Sequence, residues 1–573
     1  MKRQLCSVAR IGACVLVIEC FVSPSLGAGR QRPEPADTRS AQRVAGVAGS
    51  AAAGSFIEIA DFCSLAQIRV DISDCAQNAI AAAAASSNAS RGGGIVHFPA
   101  NLGPYIVRRS IVVDKNFVGL VGDGPQASYI QCANGAGDCV VLGDEKTPTR
   151  DLSLENLAIN GDGAKTGGAN VSVRNTFNLR AERLQVEYCV RCFDIGPGNN
   201  SITLRDVILT VDQRASDYGL YWHAPGDGSM RSDVLTLHNV VIEGHWSDAT
   251  GLMWEGFANT LVATHLRILH SKYGLRVANP AHSASFFPSF LNAFDLEMEG
   301  FKTRALTIDG GSDFKIVGSD INNLSGAAEQ GGADDVAVRI ASDAGASYTR
   351  GVSIVGTRIG GSASSGLVSD SRDLQLSNVI FYSTSGSAAG AAPVMRLGAA
   401  TYDAILDNIH CEEFGGLARA SYCLEIDRGA NGVLASNINA RYVRRGAIAD
   451  RGGVGVSVVN VIEPGGGVDA SSAQRRQKSA AGADNVEKPM VADCGAQPSL
   501  SSGASDAHGS VTIGAGAPGA CQITFVTPYA RSPDCVVASP SGGAVSYAAT
   551  AKDLVVRFAP GALQTIAWFC APG

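Results

Sequence analysis

Leu204-Arg205-Asp206-Val207 leads to Gly219-Leu220-Tyr221-Trp222-His223, and Leu237-His238-Asn239-Val240 leads to Gly251-Leu252-Met253-Trp254-Glu255. The same unit recurs as Thr264-His265-Leu266 with Gly274-Leu275-Arg276-Val277, and as Phe294-Asp295-Leu296 with Ala305-Leu306-Thr307-Ile308-Asp309. Weaker copies follow around Asn378, Asn408, Asn437 and Asn460. Between Asp151 and Pro464 this spacing accommodates about a dozen turns of about 25 residues. Short strands with aliphatics at every second position cannot bury themselves singly, whereas stacked turns bury one continuous apolar column. The pattern therefore predicts an all-β chain built as a parallel β-helix. Asn-Gly hairpin turns of the kind a meandering sandwich needs are scarce.

Working outward from the repeat, the polar position after each aliphatic pair reads as a ladder. Asn239, Asn378, Asn408, Asn437 and Asn460 outnumber Asp206, Asp295 and Asp320 there. Asn and Asp at one corner of every turn satisfy backbone groups of tight bends, so all eight are expected to be structural. In the strands that open with Gly-Leu, Leu and the second residue after it point inward, which buries Trp222 and Trp254. The outward row reads Tyr221 and His223, Met253 and Glu255, Arg276, Thr307 and Asp309, then Arg339, with Glu425 and Asp427 later.

Glu255 and Asp309 stand two turns apart, roughly 10 Å along the axis. Inverting glycoside hydrolysis needs two carboxyl groups about 6.5 to 9.5 Å apart, so that a water fits beside the base while the acid protonates the leaving oxygen. Side-chain freedom brings the pair within that reach. Arg276 is placed between them to orient a hydroxyl or carboxylate, and His223 at one end. Tyr221, His245, Trp246, His270, Lys272, Tyr273 and Arg339 are the expected substrate contacts, the aromatics serving as platforms for sugar faces. Glu187, Glu243, Glu297 and Glu299 form a second acidic strip on the strand after the ladder, a fallback site.

Upstream, Phe56-Ile57-Glu58-Ile59 alternates like a short strand, and the Ala-rich run Cys75 to Ala85 predicts a helix, with Asp74 and Gln77 as its capping box. These segments, with Gly92-Gly93-Gly94-Ile95-Val96-His97-Phe98-Pro99-Ala100, Tyr105-Ile106-Val107 and Gly119-Leu120-Val121-Gly122-Asp123-Gly124, resemble the opening of the pectate-lyase-like superfamily. More narrowly, they are similar to the rhamnogalacturonase/epimerase-like domain shared with phage tailspikes. That resemblance covers roughly Phe56 to Pro464. It implies a right-handed parallel β-helix with an N-terminal capping helix, a substrate groove on the sheet carrying the outward row, and, by tailspike analogy, the possibility of a trimer. The Asn-Thr-Asp, Asp-Asp, Gly-His-Gly and Arg-Ile-Lys blocks of polygalacturonases are absent, so their activity does not carry over.

The ends of the chain have other compositions. Residues 1–28 carry Lys2, Arg3 and Arg10 before the apolar run Ile11 to Ile18, with small residues near Ser25, the layout of a secretory signal. Residues 29–54 read as a flexible leader, 55–464 as the β-helix, 465–490 as a polar linker, and 491–573 as a small disulfide-braced β-sandwich similar to modules appended to other β-helix proteins. Three of the 15 cysteines leave with the signal. The rest pair locally as Cys63 with Cys75, Cys132 with Cys139, Cys189 with Cys192 and Cys411 with Cys423, leaving Cys494, Cys521, Cys535 and Cys570 with three possible connectivities. A secreted protein follows from that usage.

The formal charge of −7 becomes about −9 without the signal, which argues against nucleic acid as a partner and against long-range attraction of a polyanion. No membrane span is expected. No Walker loop, metal-spaced histidine cluster or Ser/His/Asp elbow occurs, so no cofactor and no metal are expected. The functional expectation is a polysaccharide-cleaving enzyme, most simply a hydrolase using Glu255 and Asp309. A lyase in which Arg276 or Lys272 removes a proton beside a uronate carboxylate, and a non-catalytic glycan-binding or adhesive protein, are the alternatives.

Overall fold

The computed structural model describes residues 56–86, 93–322, 336–341, 349–382, 392–412, 420–462 and 489–571, less short gaps and single positions. The expected signal, the leader up to 55 and the linker from 465 to 488 lie outside the described residues. From Phe56 to Ile462 every strand pairing is parallel, in one 19-stranded and one 13-stranded sheet. The smaller sheet runs in strict order from Ile111–Val113 to Gly446–Asp450, one strand per coil. The stacked coils thus form the expected parallel β-helix.

The coils opening at Gly94–Phe98, Val118–Gly122, Ser312–Val317 and Arg350–Val355 make three short strands each, whereas the others from Thr149–Asn160 onward make one short strand and one long strand that bends. In Ser232–Glu243, Leu235 and Leu237 face inward, and then Val240 and Ile242 do. The alternation slips at Asn239, whose φ of 53° is left-handed. A single left-handed residue turns the strand through a corner and resets which side chains face the core. Register stacks these corners: Asp206 pairs with Asn239, Asn239 with His265 and His265 with Asp295, all left-handed. Asn378, Asn408, Asn437 and Asn460 continue the column, Asn408 Nδ2 donating to Asn378 Oδ1 at 2.6 Å while Asn437 Nδ2 donates to Asp407 at 2.8 Å. Asp320 departs from the expectation. Gly318 holds the corner of that coil, and Asp320, two residues on, accepts a hydrogen bond from Tyr382 Oη at 2.9 Å.

A second left-handed column runs beside the first through Asn178, Ser201, Val234, Thr260, Phe290 and Asp313. Val234 and Phe290 are poor residues for that conformation, and each costs roughly 1–2 kcal/mol there. The glycines that open the short strands have a different cause. A Cβ on Gly219 or Gly251 would sit 2.4 or 2.2 Å from Ile242 or Ile268, so the long strand packs against bare backbone there.

The core is one continuous column of aliphatics with Trp222 and Trp254 stacked at 5.2 Å, both fully buried as expected. Their indole N–H groups donate to Ser232 Oγ (3.0 Å) and the Ala258 carbonyl (2.8 Å), which makes their burial affordable. At the N-terminal end the helix Ser73–Ser86 packs on the first coils. Its expected capping box is absent: Gln77 instead exchanges two hydrogen bonds with the Val112 backbone, and Asp71 accepts from Ser73 N–H at 2.9 Å. All four local disulfides form.

From Met490 to Ala571 the pairings are antiparallel, in two four-stranded sheets that share a core including Val511, Ile523, Val556 and Trp568. Of the three connectivities open to the last four cysteines, the chain has Cys494–Cys521 and Cys535–Cys570.

Candidate functional site

Two outward rows run along the short-strand sheet. Register orders the first as Ser172, Asp194, Tyr221, Met253, Arg276, Thr307, Arg339, and the second, two residues further along each strand, as His223, Glu255, Ala278, Asp309. Glu255 and Asp309 are thus two rungs apart, about 10 Å between backbones, with only the methyl of Ala278 between them. Arg276 lies on that middle coil, in the adjoining row, next to Thr307.

Polar contacts tie the N-terminal half of the rows together. His223 Nε2 lies 3.0 Å from Asp194 Oδ1, and the ring stacks on Tyr221 at 4.1 Å between centroids. Tyr221 Oη donates to Glu255 Oε2 at 3.2 Å and its ring also stacks on Tyr218. Arg191 donates to Asp194 (2.8 Å) and Asp217 (2.7 Å) while its guanidinium lies over Tyr218 and Tyr221. Asp194 is only 2% exposed. Burial pushes its carboxyl up, but His223, Arg174 and Arg191 together outweigh that and hold it below the usual 3.8. Asp194 is therefore ionised, and His223 Nε2 carries the proton between them. Burial, with the charge of Glu255 and the hydrogen bond to it, raises Tyr221 well above 10, so the phenol stays a donor.

Of the expected site residues, Tyr221, His223, Glu255, Arg276 and Asp309 come together on these rows. Lys272 and Arg276 lie over the Tyr273 ring, at 5.9 and 5.7 Å, which adds both to the Arg276 end. Arg339 continues the row, but Asp370 neutralises it at 3.0 Å. Glu425 and Asp427 likewise pair with Arg451 and Arg396. His245, Trp246 and His270 gather elsewhere: His270 Nδ1 lies 3.1 Å from Glu243, and Trp246 packs on His270 at 4.7 Å. That cluster precedes the strand Thr250–Glu255, so it stands about 16 Å along the sheet from Glu255. The fallback strip also divides, because Glu187, Glu243 and Glu299 share one row while Glu297 occupies the next and pairs with Arg267 at 2.7 Å.

Asp194, Arg191 and Tyr218 are the participants that the sequence reading missed. The strand Arg191–Ile195 opens with Cys192-Phe193, not with Gly-Leu, so matching to the repeat passed over it. The spacing Arg191-x-x-Asp194 was the signal available.

No family model matches the chain, and no curated protein matches it. Among solved structures, the A-module of the mannuronan C-5 epimerase AlgE6 from Azotobacter vinelandii is 16% identical, with 70% of this chain and 97% of that one covered and a TM-score of 0.38. The N-terminal fragment of bacteriophage Phi29 gene product 12 is 13% identical over 70% of this chain and 72% of that one, at a TM-score of 0.47. The DFA-IIIase of Arthrobacter chlorophenolicus A6 in complex with GF2 is 11% identical over 71% and 94%, at 0.38.

Proposed function

We propose that this chain is an exported carbohydrate-active enzyme that hydrolyses a glycosidic bond of a polysaccharide lying over the short-strand sheet. The observation that supports the reading is the register of Glu255, Ala278 and Asp309, which sets two carboxyl-bearing residues on one outward row two coils apart with only a methyl between them. That backbone separation of about 10 Å is close to the about 6.5 to 9.5 Å between carboxyl groups at which a water fits beside one carboxylate while the other acid protonates the leaving oxygen. Glu255, fixed by the Tyr221 hydroxyl, is assigned the base, and Asp309 the acid. His223, held by Asp194, braces the Tyr221 ring.

Hydrolysis is favoured over elimination because Tyr221 and Arg276, which adjoin Glu255 and Ala278, are poor bases. Tyr221 keeps its proton, and a guanidinium such as Arg276 is always charged. The six disulfides fit an oxidising compartment. The test is incubation of the purified protein with a panel of plant and bacterial polysaccharides. New reducing ends on at least one of them are expected. Absorbance from unsaturated uronates would replace this reading with a lyase, and retention without products would replace it with a binding protein.

A further inference from the structure

The outward row of His223, Glu255, Ala278 and Asp309 takes the last residue of each short strand, so the turns that follow those strands border it directly. Two of these turns are short, Gly256-Phe257 after Glu255 and Gly310-Gly311 after Asp309. Residues 224–231 and 279–288 form longer loops after His223 and Ala278. These two loops interlock across the Gly256-Phe257 turn. A Cβ on Gly226 would sit 2.4 Å from the Ala281 methyl, and one on Gly228 2.5 Å from the Phe286 ring, so side chains of one loop rest on bare backbone of the other. Phe286 also meets Phe257 edge-on at 5.1 Å between centroids. The 279–288 loop is closed on itself as well. Asn279, 3% exposed, donates through Nδ2 to the Ser283 carbonyl at 3.0 Å, and Ser283 Oγ accepts from the Phe286 N–H at 2.9 Å. Close packing and internal hydrogen bonds fix the loop in one position. No Asp, Glu, Lys or Arg occurs between 279 and 288.

We infer that the interlocked loops 224–231 and 279–288 are a specificity wall, which holds the glycan along the helix axis and admits only chains without a branch on the edge facing Glu255 and Ala278. The inference rests on the hydrolytic reading, which places the glycan over this row. The wall spans the coils of His223, Glu255 and Ala278, about 10 Å along the axis. A chain crossing the row in the direction of the strands runs into it, whereas one lying along the stack runs beside it. The 279–288 loop, free of formal charge, suits the C–H edge of sugar rings. A branch on that edge would have to part Ala281 and Phe286 from the glycines they rest on. Rejection by a fixed obstacle is specificity by clash, and it needs no tighter contact with the accepted chain. The substrate class is then an unbranched polysaccharide, or one whose branches all leave from the opposite edge.

The test is affinity electrophoresis of the full chain in gels containing galactomannan, arabinoxylan or side-chain-bearing pectin, each set against its debranched backbone. For at least one pair, the debranched polymer is expected to bind about 10- to 100-fold more tightly than the branched one. Two variants are run beside the parent: one with 279–288 replaced by Gly-Gly, the turn that follows Asp309, and the milder Phe286→Ala. Both should bring the ratio between debranched and branched polymer towards one, the replacement further than the substitution, with the melting temperature confirming the fold. Should the replacement fail to fold, Phe286→Ala alone decides. Equal binding of debranched and branched polymers by the parent, preference for the branched ones, no retention by any pair, or a ratio unchanged in the folded variants overturns the wall. Preference for the debranched polymer without new reducing ends keeps the wall and removes the hydrolase, whereas new reducing ends from branched and debranched polymers alike do the reverse.

Discussion

The left-handed columns of the long strands and the outward rows of the short ones are both stacks with one position per coil, yet they differ in what satisfies their polar members. In the C-terminal stretch of the first column the residue type repeats, Asn over Asn, and Asn408 and Asn460 each donate to the Asn one coil before. In the rows the type changes at every rung, from Asp194 to Tyr221, Met253, Arg276 and Thr307, and at the Arg276 end the polar atoms find no partner among the described residues. Repetition marks a position that serves the coil. A row in which polar types alternate on the outer face, as from Asp194 to Arg276, is open to serving something outside the coil.

The largest effect expected from that contrast lies in the rows. On whichever polysaccharide is cut, Glu255→Gln and Asp309→Asn should each lower kcat by about 10²- to 10⁴-fold, while stability in denaturant stays within about 0.5 kcal/mol. A large loss of stability instead would make these acids structural and erase the contrast.

Asp194 sharpens it, since it serves both purposes. Asp194→Asn takes from His223 its carboxylate and from Arg174 and Arg191 one of two, leaving them Asp138 and Asp217, and a loss of about 1.5–3 kcal/mol is expected. Because the folded carboxyl sits below the unfolded value of 3.8, its contribution is present above that value and disappears as the pH falls through the lower folded one. The stability of the parent chain should therefore fall more steeply than that of Asp194→Asn below about pH 4, as urea titrations at several pH values would show. Parallel profiles would contradict the assignment.

In the columns the expected effects are smaller and fall on stability alone. Asn408→Ala gives up an amide link and places a less tolerant residue at a left-handed corner, costing about 1–2 kcal/mol with unchanged kcat. Val234→Gly relieves strain at a φ of 46° and should stabilise by about 0.5–1 kcal/mol, the difference between the cost of a left-handed valine and the greater chain entropy of glycine. Chemical denaturation measures both. A loss of activity in Asn408→Ala at temperatures where it is fully folded would mean that the columns touch substrate.

These distinctions explain what was legible in the sequence. The coil was, because stacking demands an apolar residue at every second position and leaves that demand visible in each copy from Leu204 to Val461. The first column was legible through its Asn residues. The second was not, because Val234, Thr260 and Phe290 have no chemistry that announces a left-handed backbone; tertiary packing imposes it on them. Glu255 and Asp309 could be placed because strand alternation fixes which side a residue faces. Register across coils fixes which residues are neighbours, and sequence spacing states it only where loops have equal length. Asp194, in a coil whose strand opens differently, and the orphaned hydroxyl of Thr307 became visible only once the coils were aligned.

The most direct measurement is a crystal structure of the Glu255→Gln chain with a bound oligosaccharide of the polysaccharide it cleaves. The sugar rings should lie across the coils of Trp254, Val277 and Ile308, with a glycosidic oxygen above Ala278 between Gln at 255 and the carboxyl of Asp309. A glycan seated on the face between the left-handed columns, or in the cluster of Trp246 and His270 with the Ala278 gap empty, would contradict the account.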